Sequence, residues 1–438
     1  MRHIFARLLA LTLTLALVTL GVAAPVFAEE VVTLNYVSWM TKGEDIPMLE
    51  DFMAENPNIK VVNQSLEGAD YANLLNTMML SGTIPDVFLV QPWFIPDLVK
   101  NGFIQPVGGI PGVDKQAANG PINDMLSVNG DVYAYALNGG KGTVFVYYNT
   151  LYFDENGLSP VTTLDEFEKL MGDIAAIGGV PLIVSAGDTW SADYAGYNIY
   201  QDLGFEMAIA GGNYSLELAL LRGEKKVSDV RGPQFRKLSE WYANGWVSPD
   251  ALSMGWEQAA QFLVDGGAVL FPMGNWVPGS TPVQESDPET FKIGAFPLPY
   301  ATLSDGNRHV ISSVDRAAVL SAQSAHPEAA QKLYEYIIRD DVLVNYLERQ
   351  GLIGINVDAK VDPVFEFSFD DFAKPDIVLE AVSAVMPAGF TELFWQHAAD
   401  IFTGANVEEL LANMDAEFEA FMANVDADEY ISANEAKR

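Results

Sequence analysis

The chain reads as blocks of two alternating hydrophobic periods. Val31 to Val37 is an apolar run rich in β-branched and aromatic residues, which predicts a strand. Ile46 to Glu55 carries apolar residues at helical spacing and stops at Asn56-Pro57, because a residue before proline is held out of the helical region. Ile59 to Val62 predicts a second strand, Tyr71 to Leu80 a helix ended by Ser81-Gly82, and Asp86 to Val90 a third strand. Strand–helix–strand repeats of this length imply right-handed βαβ units and a mostly parallel sheet.

The pattern restarts after Asn149. Thr163 and Glu166 have the spacing of a capping box, which opens a helix there. Pro181 to Ser185, Ala268 to Pro272 and Phe291 to Phe296 predict strands, with helices filling the interval up to Val264. Ala329 to Arg349 predicts one long amphipathic helix, and Val407 to Met422 a strongly periodic one. No internal repeat and no low-complexity linker interrupts the series. The expected fold class is α/β, in two lobes joined by strands rather than by a loose linker.

Composition places this fold outside the cytoplasm. Arg2 and Arg7 precede an uncharged apolar run, Leu8 to Ala24, and Val26-Phe27-Ala28 offers a cleavage site. Residues 1–28 are expected to be a signal peptide, leaving about 410 residues for two or more domains. The run is short for a membrane span. The chain has no cysteine, so disulfides, thiolate chemistry and a lipid anchor through cysteine are excluded. Its net charge of −35 repels nucleic acid and anionic membranes. With 49% hydrophobic residues the acid is a solvated surface, not a disordered tail.

Motifs of chemistry are few. "NGGKGTV", residues 138–144, fails as a phosphate loop: Gly142 follows Lys141 where Ser or Thr is needed, and the strand formers Val144 to Tyr148 follow instead of a helix. Neither a G-x-S-x-G elbow nor an H-E-x-x-H pair occurs, and His309, His326 and His397 are far apart. Paired carboxylates are uninformative among 59 acids. Adjacent Tyr147 and Tyr148 face opposite sides of a strand, so both cannot ligate one ferric ion. Asn424, Asp426, Asp428 and Glu435 have calcium-loop spacing, but Glu429 stands where that loop needs glycine, so the segment reads as an acidic tail. No enzyme activity, cofactor or metal site is expected. The alternatives are a binding protein for a metal ion, polyamine or similar solute, and a secreted carbohydrate-active enzyme.

Six phrases, in order, carry a family resemblance: "FMAENPNIKV", "SGTIPDVFLV", "NGDVYAYAL" with "VFVYYNTLYFDENGL", "VDGGAVLFPMGNW", "SAQSAHPEAAQKLYEYIIRDD" and "MPAGFTELFWQHAADIFTGANVEELL". They resemble the extracellular solute-binding proteins of ABC importers, in the sugar-binding group that includes maltodextrin-binding protein. The resemblance implies a two-lobe periplasmic-binding-protein fold, each lobe a mostly parallel sheet flanked by helices. It implies lobe 1 from residues 29–138 plus about 310–356, and lobe 2 from 139–309 plus about 357–438. Asn138 to Thr143 would be the hinge, with a second crossing near Asp305 to Ser312. The implied partners are a sugar or oligosaccharide and the membrane permease of the transporter, and the implied state is a monomer in the periplasm or outside the cell.

A sugar ring needs a flat aromatic face for its C–H groups and polar side chains for its hydroxyls. Trp39, Trp93 and Trp190 each follow a predicted strand, where clefts of open α/β sheets form. Trp276 and Trp395 match aromatic positions of the family. Trp241, Trp246 and Trp256 lie in or near helical stretches and are expected to pack. The polar candidates are Lys42, Glu44, Gln91, Asn275, Asp315, Arg316 and Glu392, of which Lys42 and Glu44 fall where the family has a charged pair after the first strand.

Overall fold

The computed structural model describes residues 31–40, 43–66, 71–141, 144–299, 304–305, 312–368, 386–387 and 389–435. The signal segment lies outside the described residues.

In the first lobe β1 (Val32–Ser38) pairs in parallel with both β2 (Ile59–Ser65) and β3 (Val87–Val90). Helices α1 (Ile46–Glu55) and α2 (Tyr71–Ser81) make the two crossovers. After α3 (Ile95–Lys100) and α4 (Gly120–Met125), a small hairpin of β4 (Ser127–Val128) and β5 (Asp131–Val132) leads into β6 (Ala134–Lys141). The sheet order is β2-β1-β3-β10-β6, and β10 (Ser312–Leu320) is antiparallel to both of its neighbours. Four strands therefore run one way and the returning strand runs the other. Alternation along β1 feeds two cores: Leu34 and Tyr36 pack with Met48, Leu49 and Phe52 on one face, while Val37 packs with Phe88 and Val90 on the other.

The second lobe mirrors this plan. β7 (Val144–Asn149) lies between β8 (Leu270–Gly274) and β9 (Ile293–Pro297), antiparallel to both. Leu182 bridges Leu270 and Val247 in parallel. Every strand except the incoming β7 thus shares one direction, as expected of a mostly parallel sheet. The ladder pairings of the named strands are nonetheless antiparallel, because β7 is interposed.

Helices α5 (Thr150–Asn156), α6 (Leu164–Ala176), α7 (Tyr197–Gly211), α8 (Ser215–Leu221), α9 (Val227–Ala243), α10 (Trp256–Val264) and α11 (Thr281–Gln284) surround this sheet. The capping box of α6 forms as read: Thr163 Oγ1 accepts from the Glu166 N–H at 3.3 Å, and Glu166 Oε2 accepts from the Thr163 N–H at 3.1 Å.

Two expectations are corrected. Pro181 to Ser185 is buried but is not a regular strand. Only Leu182 forms bridges, and Pro181 has no N–H to extend a ladder. The long helix after β10 is two helices, α12 (Pro327–Ile337) and α13 (Asp340–Gln350). Arg339 between them is extended, with φ −65° and ψ 133°. Its guanidinium grips both carboxylate oxygens of Glu55 at 3.0 Å and Asp341 at 2.7 Å, which fixes the break. Asp340 and Asp341 then occupy the first turn of α13, where the helix dipole favours acid.

Beyond α13 the chain returns to the second lobe. Gly354 bridges Asn138, and Phe365, in the short 3-10 helix Pro363–Ser368, is fully buried against Phe145 and Tyr147. Then α14 (Phe390–Asp400), α15 (Val407–Met422) and α16 (Ala427–Glu435) pack on that lobe's outer core.

Glu217 on α8 is 1% exposed, and its Oε2 has no hydrogen-bond partner. Burial pushes its carboxyl up to about 7, against a backbone hydrogen bond that lowers it. A raised carboxyl holds its proton more tightly folded than unfolded, so this group's stabilising contribution is complete at acidic pH and is lost as pH rises towards 7. Glu217→Gln is expected to raise the melting temperature by several degrees at pH 8 and by little at pH 4.5. Calorimetric scans of both proteins check this, and a pH-independent difference would contradict it.

Candidate functional site

The two sheets turn the C-terminal ends of their same-direction strands into the same region. β1 and β3 are neighbours, so Trp39 and the segment Gln91 to Phe94 emerge side by side. In the second lobe, the bridged segment at Leu182 precedes Trp190, and β8 ends at Gly274, before Asn275 and Trp276. Ligands of open α/β sheets sit outside such strand ends.

Trp276 is the residue most firmly placed across the lobes. It is half-buried and packs against the first lobe's α12–α13 core and the second lobe's β7–β8 core. Its ring lies 6.0 Å from that of Trp190 at 50°. The strand end makes room for it, since a Cβ on Gly274 would stand 2.1 Å from Trp276 Cη2. Trp190 in turn meets Tyr194 edge-on at 5.6 Å. The two tryptophans thus form one aromatic corner.

In the first lobe, Trp39 is half-buried and sits edge-on to Tyr71 at 5.1 Å. The Tyr71 hydroxyl is itself spent on Leu89 O at 2.5 Å. Trp93 stacks beside Phe94 at 6.0 Å, and its Nε1–H is buried without a partner. An unpaired buried donor is costly unless something else supplies an acceptor. Gln91 is half-buried before the same turn, and its side chain caps nothing. Trp395, on α14, is half-buried and belongs to none of the four apolar cores.

The polar candidates divide. Asn275 is buried directly beside Trp276. Arg316 is 7% exposed and faces inward, donating to the Tyr346 hydroxyl at 2.9 Å and to Gln350 Oε1 at 2.7 Å. It therefore ties β10 to α13. Asp315 is half-buried and accepts from Asn138 Nδ2 at 3.3 Å, across the β6–β10 pair. Glu44 is half-buried on the turn into α1. Lys42 and the Glu392 side chain lie outside the described residues.

Sequence reasoning missed a buried polar cluster beneath the first lobe's strand ends. Asp45 accepts from Ser38 Oγ at 2.5 Å, while Asp45 Oδ1 and the fully buried Tyr36 hydroxyl have no partner. Burial raises the Asp45 carboxyl above the usual range despite Ser38. It missed too the Asp193–Arg231 pair, three residues beyond Trp190. A Ser-x-x-x-x-x-x-Asp spacing or a lone Arg on a helix carries no signal for either.

A surface depression of about 760 Å³ lies elsewhere, on the second lobe around Asn149, Glu257, Asp265 and Asp287. It has no aromatic wall, so the strand-end region is the better candidate for an apolar ring face. Among the described residues no group of three or more His, Cys, Asp or Glu could hold a metal ion. Nor is any helix of the described residues long and apolar enough to cross a membrane. The calcium-like spacing of Asn424 to Glu435 falls largely on α16, where Glu435 pairs with Arg222 and Glu429 with Lys100.

Two α/β lobes joined by crossing strands define the fold of a two-lobe solute-binding protein. The chain belongs to the bacterial extracellular solute-binding proteins, whose family model matches residues 39–343. The multiple sugar-binding protein of Streptococcus mutans is 25% identical over 354 residues, covering 78% of this chain and 81% of its own. An ABC transporter extracellular-binding protein of Pyrococcus horikoshii is 24% identical over 402 residues, covering 89% of both chains. Among solved structures, RafE in complex with raffinose superposes with a TM-score of 0.71 at 24% identity, covering 88% of this chain and 98% of RafE. A Bacillus licheniformis sugar transporter in complex with stachyose gives 0.73 at 18% identity, covering 88% and 99%. These relatives are transport binding proteins rather than enzymes.

Proposed function

We propose that this extracellular solute-binding protein captures an uncharged sugar or short oligosaccharide at the strand ends and delivers it unchanged to the membrane permease of an ABC transporter. The observation that carries the reading is the Trp190–Trp276 corner at the second lobe's strand ends, together with Trp39 and Trp93 at the strand ends of the first. Flat aromatic faces suit the C–H face of a sugar, and the unpartnered Trp93 N–H and nearby Asn275 suit its hydroxyls. Trp395 and Gln91 extend the same surface in this reading. Residues 1–28 act as the export signal, and the protein works as a monomer.

Closure turns on the crossing strands. β6 and β7 leave one sheet and enter the other between Lys141 and Val144, and β10 returns beside β6. A ligand that contacts both lobes favours the closed arrangement by its differential affinity alone.

Titration calorimetry with raffinose, stachyose and chito-oligosaccharides is expected to give heat for at least one. Amino acids, polyamines and divalent or ferric ions are expected to give none, and no new reducing ends should appear. Silence with every carbohydrate together with tight binding of a metal or amine would overturn the reading. Release of reducing ends would replace it with an enzyme.

A further inference from the structure

The lobes also meet away from the crossing strands. Helix α16 lies on α8 of the second lobe, where Tyr430 and Ile431 pack against the core and Glu435 pairs with Arg222. The same helix reaches α3 of the first lobe. Lys100 Nζ donates to Glu429 Oε2 at 2.8 Å, and the Tyr430 hydroxyl donates to Asp97 Oδ1 at 3.2 Å. α3 is itself fixed to the first lobe by buried Ile95 and Leu98.

We propose that α16 is a strap that ties the first lobe to the second and biases the lobes toward the arrangement seen here. The inference rests on lobe motion in the proposed function, though not on the identity of the solute. A lobe rotation that parts α3 from α8 breaks both contacts, since hydrogen bonds of 2.8 and 3.2 Å do not survive a separation of an ångström or more. Tyr430 makes the coupling two-sided: its ring packs against the second lobe's core while its hydroxyl donates to the first lobe. Glu429 also lies in the first turn of α16, so the helix dipole favours the charge that Lys100 engages.

The strap tunes rather than locks. Lys100 and Glu429 are 56% and 50% exposed, so their pair is weak and salt-screened, and one phenol hydrogen bond adds a modest amount. Together they shift the ratio of molecules in this arrangement to those with the lobes further apart by about three- to tenfold.

The test uses the full mature chain without sugar. Because the chain lacks cysteine, Lys60→Cys and Glu155→Cys, one exposed site on each lobe, give two unique spin-label positions. The background of Lys100→Gln with Tyr430→Phe is expected to move the inter-lobe distance distribution to longer values. The charge swap Lys100→Glu with Glu429→Lys is expected to restore most of the original distribution. Identical distributions in wild type and the double variant overturn the proposal. So does a lowered melting temperature with unchanged distances, which would make α16 an ordinary packing helix. Since no sugar is present, failure of the strap and failure of the sugar reading register in separate experiments.

Discussion

Trp276→Ala lowers sugar affinity by roughly 30- to 1000-fold, or 2–4 kcal/mol, the range of hot-spot truncations. The unliganded protein should also melt at a lower temperature. A pure stacking platform would lose affinity alone, and a pure core residue would lose stability alone. Trp276 is neither, because one side of the ring is buried against both lobes' cores while the residue stays half-exposed. Gly274 beneath it has no side chain to fill the void, so truncation leaves a cavity. The stability loss is set below the full 3–5 kcal/mol of a buried tryptophan, at about 1–3 kcal/mol. Trp276→Phe keeps part of the face and should fall between. Melting curves without sugar and calorimetry with it separate the two losses. Unchanged values in both would reject Trp276 as the hub of the cleft.

Local signals carried many elements of both lobes. The Asn56-Pro57 stop, the helical spacing of Ile46 to Glu55 and the Thr163–Glu166 capping box act within a few residues, and each element forms where it was read. Val407 to Met422 forms residue for residue because Asn406 caps it and its apolar stripe is continuous. Failures came where the deciding partner is distant. Nothing near Ile338 announces a break, because Glu55, 284 positions earlier, holds Arg339. The apolar run at Pro181 looks like a strand, yet its ladder bridges form only at Leu182 and the backbone bonds beside it stop at Ile183. The site shows the same division. Tryptophans after strands could be read from strand ends alone. The inward turn of Arg316 could not, because Tyr346 and Gln350 sit on a helix 30 and 34 residues on.

The aromatic corner rests on a buried ion pair, which makes Asp193→Ala the substitution with the largest expected cost to folding. Asp193 Oδ2 accepts from Arg231 Nη1 at 2.7 Å, with side chains only 5% and 7% exposed. Gln234 completes the group, accepting from Arg231 at 3.0 Å and donating to the Asp193 backbone oxygen at 3.0 Å. The guanidinium also lies 3.9 Å over the Tyr200 ring and 5.3 Å from that of Phe394. One pair therefore holds α7, α9 and α14 around the turn that carries Trp190. Removing the carboxylate strands a charge that water cannot reach, at a cost of about 3–5 kcal/mol. Replacing both partners with apolar groups of similar shape strands no charge and leaves only Gln234 Oε1 without its donor. Asp193→Leu with Arg231→Met should therefore recover much of the stability lost by Asp193→Ala. It should not recover full sugar affinity, because Trp190 loses the bond that anchors its turn three residues later. Denaturant unfolding of the wild type, the single and the double variant, with sugar titrations on each, measures both effects. A single-variant loss below about 1 kcal/mol would place the pair in solvent reach and leave the corner without this support.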